Sequence, residues 1–410
     1  EVGEPDAEEE VEVKELALAL LLVIPRDSGG PGPEGSAGPA ARQRPSFTPP
    51  PGEPLDFRGP GREEPEPDVS EVVLGWFGPG DPAHPEHGDS WRGAVVALEQ
   101  ENAAGGYRGK PFRLAPAWSE SPWKAGVAEV ARLAHEGGAW AVLGGVDGTA
   151  THLALQVALK SRFLLLSPGS TDATTDAANV PWLFSLPPSD DAIARRLAEA
   201  LVLPAREEGL AIVAATDHDS HATLVALRRA LGDRRLLPLA LVEVAAVDAH
   251  PGAAVAQALQ AGPRRLVVVA PPALAARLVA AARAQGFRGA VLGGPGLSRA
   301  SFARAAGPSS EGVLAPLLVR ASADVAFADA YRARWSERPD AAACLGADAV
   351  RLAAGAIRRA GLNRARVRDA VRALAPWTGA SGAGRWDARG RNEVLVELGQ
   401  WRGGGLVPLE

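Results

Sequence analysis

A single cysteine, Cys344, stands among 410 residues, and there is no methionine. One cysteine excludes an internal disulfide framework and a thiolate zinc site. It also leaves no cysteine near residue 1 for lipid attachment. Without Met, the chain is not expected to be an intact start-to-stop translation product. Lysine is scarce, at 4 residues against 39 arginines. With abundant alanine, this reads as a GC-rich coding bias that also depletes Met, not as a functional signal. The apolar run Leu16–Ile24 is too short for a membrane span, which needs about 20 residues. A basic surplus is missing as well, with a formal net charge of −6. That argues against a protein that binds nucleic acid.

What is present is globular. Apolar residues make up 46% and charged residues 22%, enough for a sizeable core and two or three domains. The charge is unevenly placed. Residues 1–70 hold 16 acidic and 6 basic side chains, leaving 33 and 37 for the rest. The acidity therefore belongs to the front, which is also rich in Pro and Gly. Such a segment buries too little surface to offset its ordering entropy, so residues 1–70 are expected to be disordered. Residues 16–24 match the length of a signal-peptide core, but acidic residues precede them where basic ones belong. They read either as a remnant export signal or as a short sticky segment.

From Glu71 onward, strands and helices alternate. Strands are expected at Val72–Phe77, Phe112–Trp118, Trp140–Leu143 and Phe163–Leu166. Helices are expected at Asp89–Asn102, capped by Asp89 or Ser90, and at Pro122–His135 and Thr149–Lys160. The pattern then restarts, with helices at 190–203, 220–231, 253–261 and 273–285. Strands are expected at 210–214, 236–242, 266–269 and 290–292. Phe184–Ser189 is a candidate link between the two sets. A strand at 312–318, helices at 323–336, 341–360 and 364–374, and a strand at 394–400 complete the chain. Short links between alternating elements predict an α/β fold with two lobes of parallel sheet flanked by helices.

Catalytic motifs are absent. There is no Gly-x-Ser-x-Gly elbow and no phosphate-binding P-loop. Gly144-Gly145-Val146-Asp147-Gly148 follows a strand but lacks dinucleotide spacing, so no cofactor is expected. His84-Pro-Glu-His87 and Asp217-His218-Asp219-Ser220-His221 offer metal ligands on paper. Prolines deny the first pair a helical face, and the second cluster sits where Asp and Ser ordinarily cap a helix. Structural or solvated roles are favoured for both. The loops after the strands carry a better signal. In open α/β sheets, ligands bind beyond the carboxyl ends of the strands. Glycine and hydroxyl residues at Gly148–Thr151 and Ser167–Thr171, beside a helix N-terminus, suit a carboxylate. Simple capping by Thr149, Thr151, Ser170 and Thr171 is the competing reading.

Three segments in order, Ala94–Gly106, Ala141–Gly144 and Leu166–Thr171, resemble the type 1 periplasmic binding proteins. The nearest branch is the leucine/isoleucine/valine-binding group. Gly293–Gly296, Glu311–Val313, Phe327–Tyr331, Ala347–Ala349 and Trp386–Gly390 agree with it. The resemblance covers roughly Glu71–Glu410. It implies two Rossmann-like lobes joined by three crossings, near Leu186, Pro316 and Ala380. Lobe 1 would comprise 71–187 and 317–379, and lobe 2 would comprise 188–316 and 380–410. It also implies ligand contacts at Asp147, Gly148 and Thr149 for a carboxylate, and at Gly169, Ser170 and Thr171 for an amino acid. Asp219 stands where that family usually presents an aromatic side chain. Pro295 and Gly296 stand near its ammonium-binding acid, and Ser119-Glu120 where paired acids often occur. These departures leave Asp219 or Asp147 to meet a cation.

The expectation is a non-enzymatic receptor that traps a small polar ligand between its lobes. The ligand would be an amino acid, an amide or a related carboxylate. ABC-importer membrane subunits are the expected partners, and the periplasm or the cell exterior the expected location. The alternatives are a non-transport sensor or scaffold of the same fold and an α/β enzyme acting in the cleft.

Overall fold

The structure, a computed structural model, describes residues 53–119, 122–245, 250–319 and 324–409, without the side chains at 122–124 and 204–207. All of these belong to one compact unit, Phe47–Glu410. The Leu16–Ile24 segment and Glu120 lie outside the described residues. Among the described residues, no helix is long and apolar enough to cross a membrane.

The first lobe runs β1 (Val72–Phe77), α1 (Gly88–Ala103), β2 (Phe112–Ala117), α2 (Pro122–His135), β3 (Ala141–Gly144), α3 (Gly148–Ser161), β4 (Leu164–Ser167), α4 (Thr174–Ala177) and β5 (Leu183–Ser185). Its five strands pair in parallel in the order β2-β1-β3-β4-β5. β1, β3 and β4 are buried along their whole length, as apolar strands covered on both faces must be. The register aligns their ends, with Phe77 opposite both Ala117 and Gly144. The loops that follow these strands therefore share one edge. Gly145 is required in the β3–α3 turn: its φ is 68°, and a Cβ there would lie 2.1 Å from Thr151 Oγ1.

The second lobe runs α5 (Asp190–Glu208), β6 (Leu210–Ala215), α6 (His218–Gly232), β7 (Ala240–Val244), α7 (Pro251–Leu259), β8 (Arg265–Val269), α8 (Pro272–Ala284), β9 (Ala290–Gly293), α9 (Ala300–Ala306) and β10 (Leu314–Leu317). The chain then returns through α10 (Val325–Trp335), α11 (Ala341–Ala360) and α12 (Arg364–Ala373), whose buried faces join the core of the first lobe. A hairpin of β11 (Trp377–Gly379) and β12 (Gly382–Gly384) follows, and β13 (Glu397–Arg402) and β14 (Gly405–Pro408) close the second sheet. Its order is β14-β13-β10-β9-β8-β6-β7, with β13 and β14 antiparallel. Gly403 and Gly404, at φ 56° and 78°, form the two-residue turn of that last hairpin.

Several expectations need correction. Residues 53–70 are not outside the fold. Leu55 is buried and bonds backbone to backbone with Ala388. Buried Arg368 donates to Leu55 O and to Pro181 O at 2.6 Å, and Arg62 pairs with Asp369 at 2.8 Å. Charged side chains of the strap thus find fixed partners that composition does not reveal. The third crossing is not near Ala380. The backbone N–H groups of Ala380 and Ser381 donate to Asp348 of α11, and Asn392 still donates to Ser185 O at 2.9 Å. The chain crosses between Asn392 and Glu397.

Helix α1 begins at Gly88, and its N-cap is His87, which makes no side-chain cap bond. Asp89 is instead buried against Arg92 and Arg304. The strand expected at 236–242 slides to Ala240–Val244, because Leu237 and Leu239 face solvent. Phe184 is not in a mere link: Leu183–Ser185 pairs with β4. Ahead of the third crossing, Trp386 packs against Trp377 at 4.2 Å and Phe184 at 5.1 Å between ring centroids.

α1 and α11 cross closely because Gly93 has no side chain. A Cβ on Gly93 would lie 1.9 Å from Ala343 O. Gly→Ala inside a helix ordinarily gains about 1 kcal/mol. Here Gly93→Ala should reverse that sign and cost roughly 1–3 kcal/mol through overpacking. A thermal or urea melt of the variant checks it.

Candidate functional site

The two lobes touch along the edge where the first-lobe strands end. Asp147 caps α3, accepting from Ala150 N–H at 2.7 Å. The next residue, Gly148, donates its N–H to Asp219 Oδ1 at 2.8 Å, and Asp219 lies in the first turn of α6 in the other lobe. The N–H groups at a helix head carry partial positive charge, so a carboxylate is a natural partner. A Cβ on Gly148 would lie 2.7 Å from Asp219 Oδ1 and 3.0 Å from Asp172 Cβ. Only glycine admits this approach. Burial and the nearby Asp147 push the Asp219 carboxyl well above its usual range. Burial likewise raises Asp147.

Asp172 follows Thr171 and is fully buried. Its Oδ1 accepts from Thr174 N–H at 2.8 Å and Thr174 Oγ1 at 2.7 Å. Its Oδ2 meets His152 Nε2 of α3 at 2.9 Å and His218 Nε2 of α6 at 2.8 Å. Burial opposes the charged form of Asp172, but these hydrogen bonds win and hold it far below the ordinary carboxylate range. The bond to Asp172 raises His218 in turn. Further contacts join the lobes away from this point. Arg299 donates to Glu86 O at 2.5 Å, and Arg304 pairs with Asp89 at 3.1 Å and Glu337 at 3.2 Å.

The structure thus brings Asp147, Gly148 and Asp219 together. Thr149 is half-buried in the first turn of α3. Thr171 turns elsewhere: its hydroxyl donates to Asp190 Oδ1 at 2.8 Å, as does Thr223 of the second lobe at 2.8 Å. Ser170 is buried, and its carbonyl accepts from Arg391 at 3.0 Å. Gly169 packs on Val146, where a Cβ would come 2.1 Å from the carbonyl oxygen. Pro295 and Gly296 open a 3-10 turn of the second lobe, with Gly296 close against Ala270 O.

Asp217 caps α6, as expected, by accepting from Ser220 N–H at 3.0 Å. His84 caps its own turn, with Nδ1 accepting from His87 N–H at 3.1 Å. Burial pushes His87 down to about 3, so it is neutral. Sequence reading missed Asp172 and His152. The one available signal was that His152 lies a single turn after Gly148. Cavities of about 550 and 670 Å³ lie under the 60–67 strap and beside α9, and neither is lined by Gly148 or Asp219.

A two-lobed α/β molecule with a contact cleft at the strand ends is the architecture of a receptor that closes by a hinge. A family profile described as periplasmic binding protein matches residues 80–405, and the chain belongs to that family. An amino acid binding protein from Pseudomonas aeruginosa is 32% identical over 124 residues, which cover 30% of this chain and 33% of that relative. The chain thus spans about a third of the length of the curated relative it matches.

Solved structures extend the likeness across both lobes. The branched-chain amino acid transporter substrate-binding protein from Streptococcus pneumoniae, in complex with isoleucine, has a TM-score of 0.75 at 21% identity. That match covers 82% of this chain and 97% of that one. A leucine-binding protein from Thermotoga maritima gives 0.74 at 17%, covering 83% and 98%. An ABC-transporter solute-binding protein from R. palustris, in complex with benzoate, gives 0.73 at 17%, covering 83% and 95%.

Asp190 bridges the lobes through the two threonines, and burial pushes it up to about 6. A carboxyl raised above its unfolded value of 3.8 favours the folded state below pH 4. That contribution is lost as pH rises through about 6. Asp190→Asn keeps an acceptor for both hydroxyls and removes the charge. It should stabilise the protein at pH 8 by about 1–3 kcal/mol and give no gain at pH 4. Paired thermal melts at the two pH values check this.

Proposed function

We propose that the protein is a solute receptor that closes its lobes on a small amino acid or a related carboxylate or amide. It works outside the cytoplasmic membrane and delivers the ligand to ABC-importer subunits. The supporting observation is the Gly148 N–H···Asp219 contact between the lobes. It puts a protein carboxylate at a helix head, the spot that suits a ligand carboxylate. A zwitterion entering the cleft displaces Asp219 from Gly148, and its ammonium is then met by Asp219 and Asp147. In this reading Thr149, Gly169, Ser170 and Thr171 of the first lobe, with Pro295 and Gly296 of the second, are the further contacts that a bound ligand would engage. The isoleucine, leucine and benzoate of the solved relatives all carry the carboxylate that this reading requires.

Titration calorimetry and small-angle scattering with amino acids, their amides and benzoate test the reading. A bound ligand compacts the protein and, at a hundredfold excess over Kd, stabilises it by about 2.7 kcal/mol. Asp219→Asn should weaken amino acids by about 1.5–3 kcal/mol, the worth of a hydrogen bond to a charged group. Benzoate, lacking an ammonium, should bind as before or better. If nothing in the panel binds at millimolar concentration, the reading fails. Binding without delivery to reconstituted importer subunits would instead mark a sensor.

A further inference from the structure

His218 lies among the caps of α6 and His152 one turn into α3, yet the fold aims both at one buried carboxylate oxygen. We propose that His152, Asp172 and His218 form a site for a divalent transition-metal ion of the zinc class, which clasps the two lobes together. His152 and Asp172 belong to the first lobe, and His218 belongs to the second. Both imidazoles present Nε2 to Asp172 Oδ2, at 2.9 and 2.8 Å. All three donor atoms lie within 4.8 Å of one another. An ion held about 2.0–2.2 Å from each donor separates them by roughly 3.3 Å, so each ring backs off from Oδ2 by about half an ångström and the two Nε2 atoms settle at that same separation.

The surroundings suit an ion. Thr174 occupies Oδ1 through its N–H and hydroxyl, which orients the carboxylate and leaves Oδ2 for the ion. That is the supporting contact a metal-binding carboxylate needs. Arg391 holds the Asp172 carbonyl at 2.9 Å and anchors the loop. The two rings stand at 90° with centroids 5.4 Å apart, so the nitrogens converge while the rings avoid stacking. Asp172 is fully buried, but the His152 and His218 side chains are 29% and 39% exposed, which provides an entry path. Two imidazoles and one carboxylate favour zinc, copper, nickel or iron over magnesium or calcium. A fourth position stays open for water. Because the donors come from both lobes, the ion binds the closed form more tightly and shifts the population toward it.

The test uses the full chain without a histidine tag, stripped with a chelator, and with no amino acid present, so its outcome is independent of ligand binding. Zn2+ titration by calorimetry should show one ion per chain, and Co2+ should give the visible absorption of a tetrahedral site. Scattering should show compaction on Zn2+ addition. His152→Ala and His218→Ala should each weaken Zn2+ by about a hundredfold or more and abolish the Co2+ band. Thr174→Val keeps all three donor residues but removes the hydroxyl that meets both Asp172 Oδ1 and His152 Nε2, at 2.7 and 2.9 Å, and should weaken Zn2+ by about 10–100-fold through lost orientation. Melts of the metal-free variants establish that they fold. If a histidine variant does not fold, Thr174→Val and the Co2+ spectrum of the parent decide the matter. Three results overturn the proposal: no Zn2+ binding below millimolar concentration, binding unchanged in the folded variants, or equal binding of Mg2+ or Ca2+. A compaction that follows pH alone and ignores Zn2+ overturns it as well.

Discussion

One buried guanidinium organises the region where the lobes meet. Arg391 is about 5% exposed and pairs with both carboxylate oxygens of Asp176, at 2.5 and 3.0 Å. It also donates to the carbonyls of Ser170, Pro187 and Asp172. These atoms come from the loop after β4, the first crossing and the approach to the third. A bidentate charged pair with further acceptors is the arrangement that lets a charge stay buried. Through it, the loop bearing Asp172 is tied directly to the hinge strands, so its orientation and the lobe crossing are not independent.

The cleft is also an electrostatic balance. Asp147, Asp172, Asp190 and Asp219 lie on or near the contact, and burial raises three of them. Only Asp172 escapes, because two imidazoles and Thr174 hold its charged form. The contact between the lobes therefore holds hydrogen bonds at Gly148 and His218 and sets Asp147 close enough to Asp219 to oppose its charge.

Much of the fold was legible because its signals are local. Apolar runs such as Val72–Phe77 announce buried parallel strands, and the Asp217–Ser220 cluster announces a helix start. The family likeness followed from short segments in order. Other features depend on contacts distant in the chain, which no periodicity records. Asp172 lies 20 residues from His152 and 46 from His218. Neither spacing corresponds to a helix face or a strand. Arg391 follows a recognised segment but acts on residues more than 200 positions earlier. The strap at 53–70 was misread because its composition is that of a disordered tail, whereas single pairings such as Arg62 with Asp369 order it. At Asp89 the sequence pattern points to a helix cap, whereas the carboxylate pairs with Arg92 and with Arg304, 215 positions away. Short elements also escaped: β5 has only three residues, too few to show alternation.

The paired Trp377 and Trp386, tilted 36° to each other with Phe184 against the latter, sit shortly before the chain crosses for the last time. Trp386 also donates its indole N–H to Val371 O at 3.0 Å, which fixes one ring of the pair to α12. Among strand residues of the second sheet, Trp401 is the only tryptophan. The protein's ultraviolet emission is therefore weighted toward the first lobe and its hinge. Both indoles belong to the first-lobe side of that crossing and pack on its core, so their emission reports the integrity of that lobe's packing.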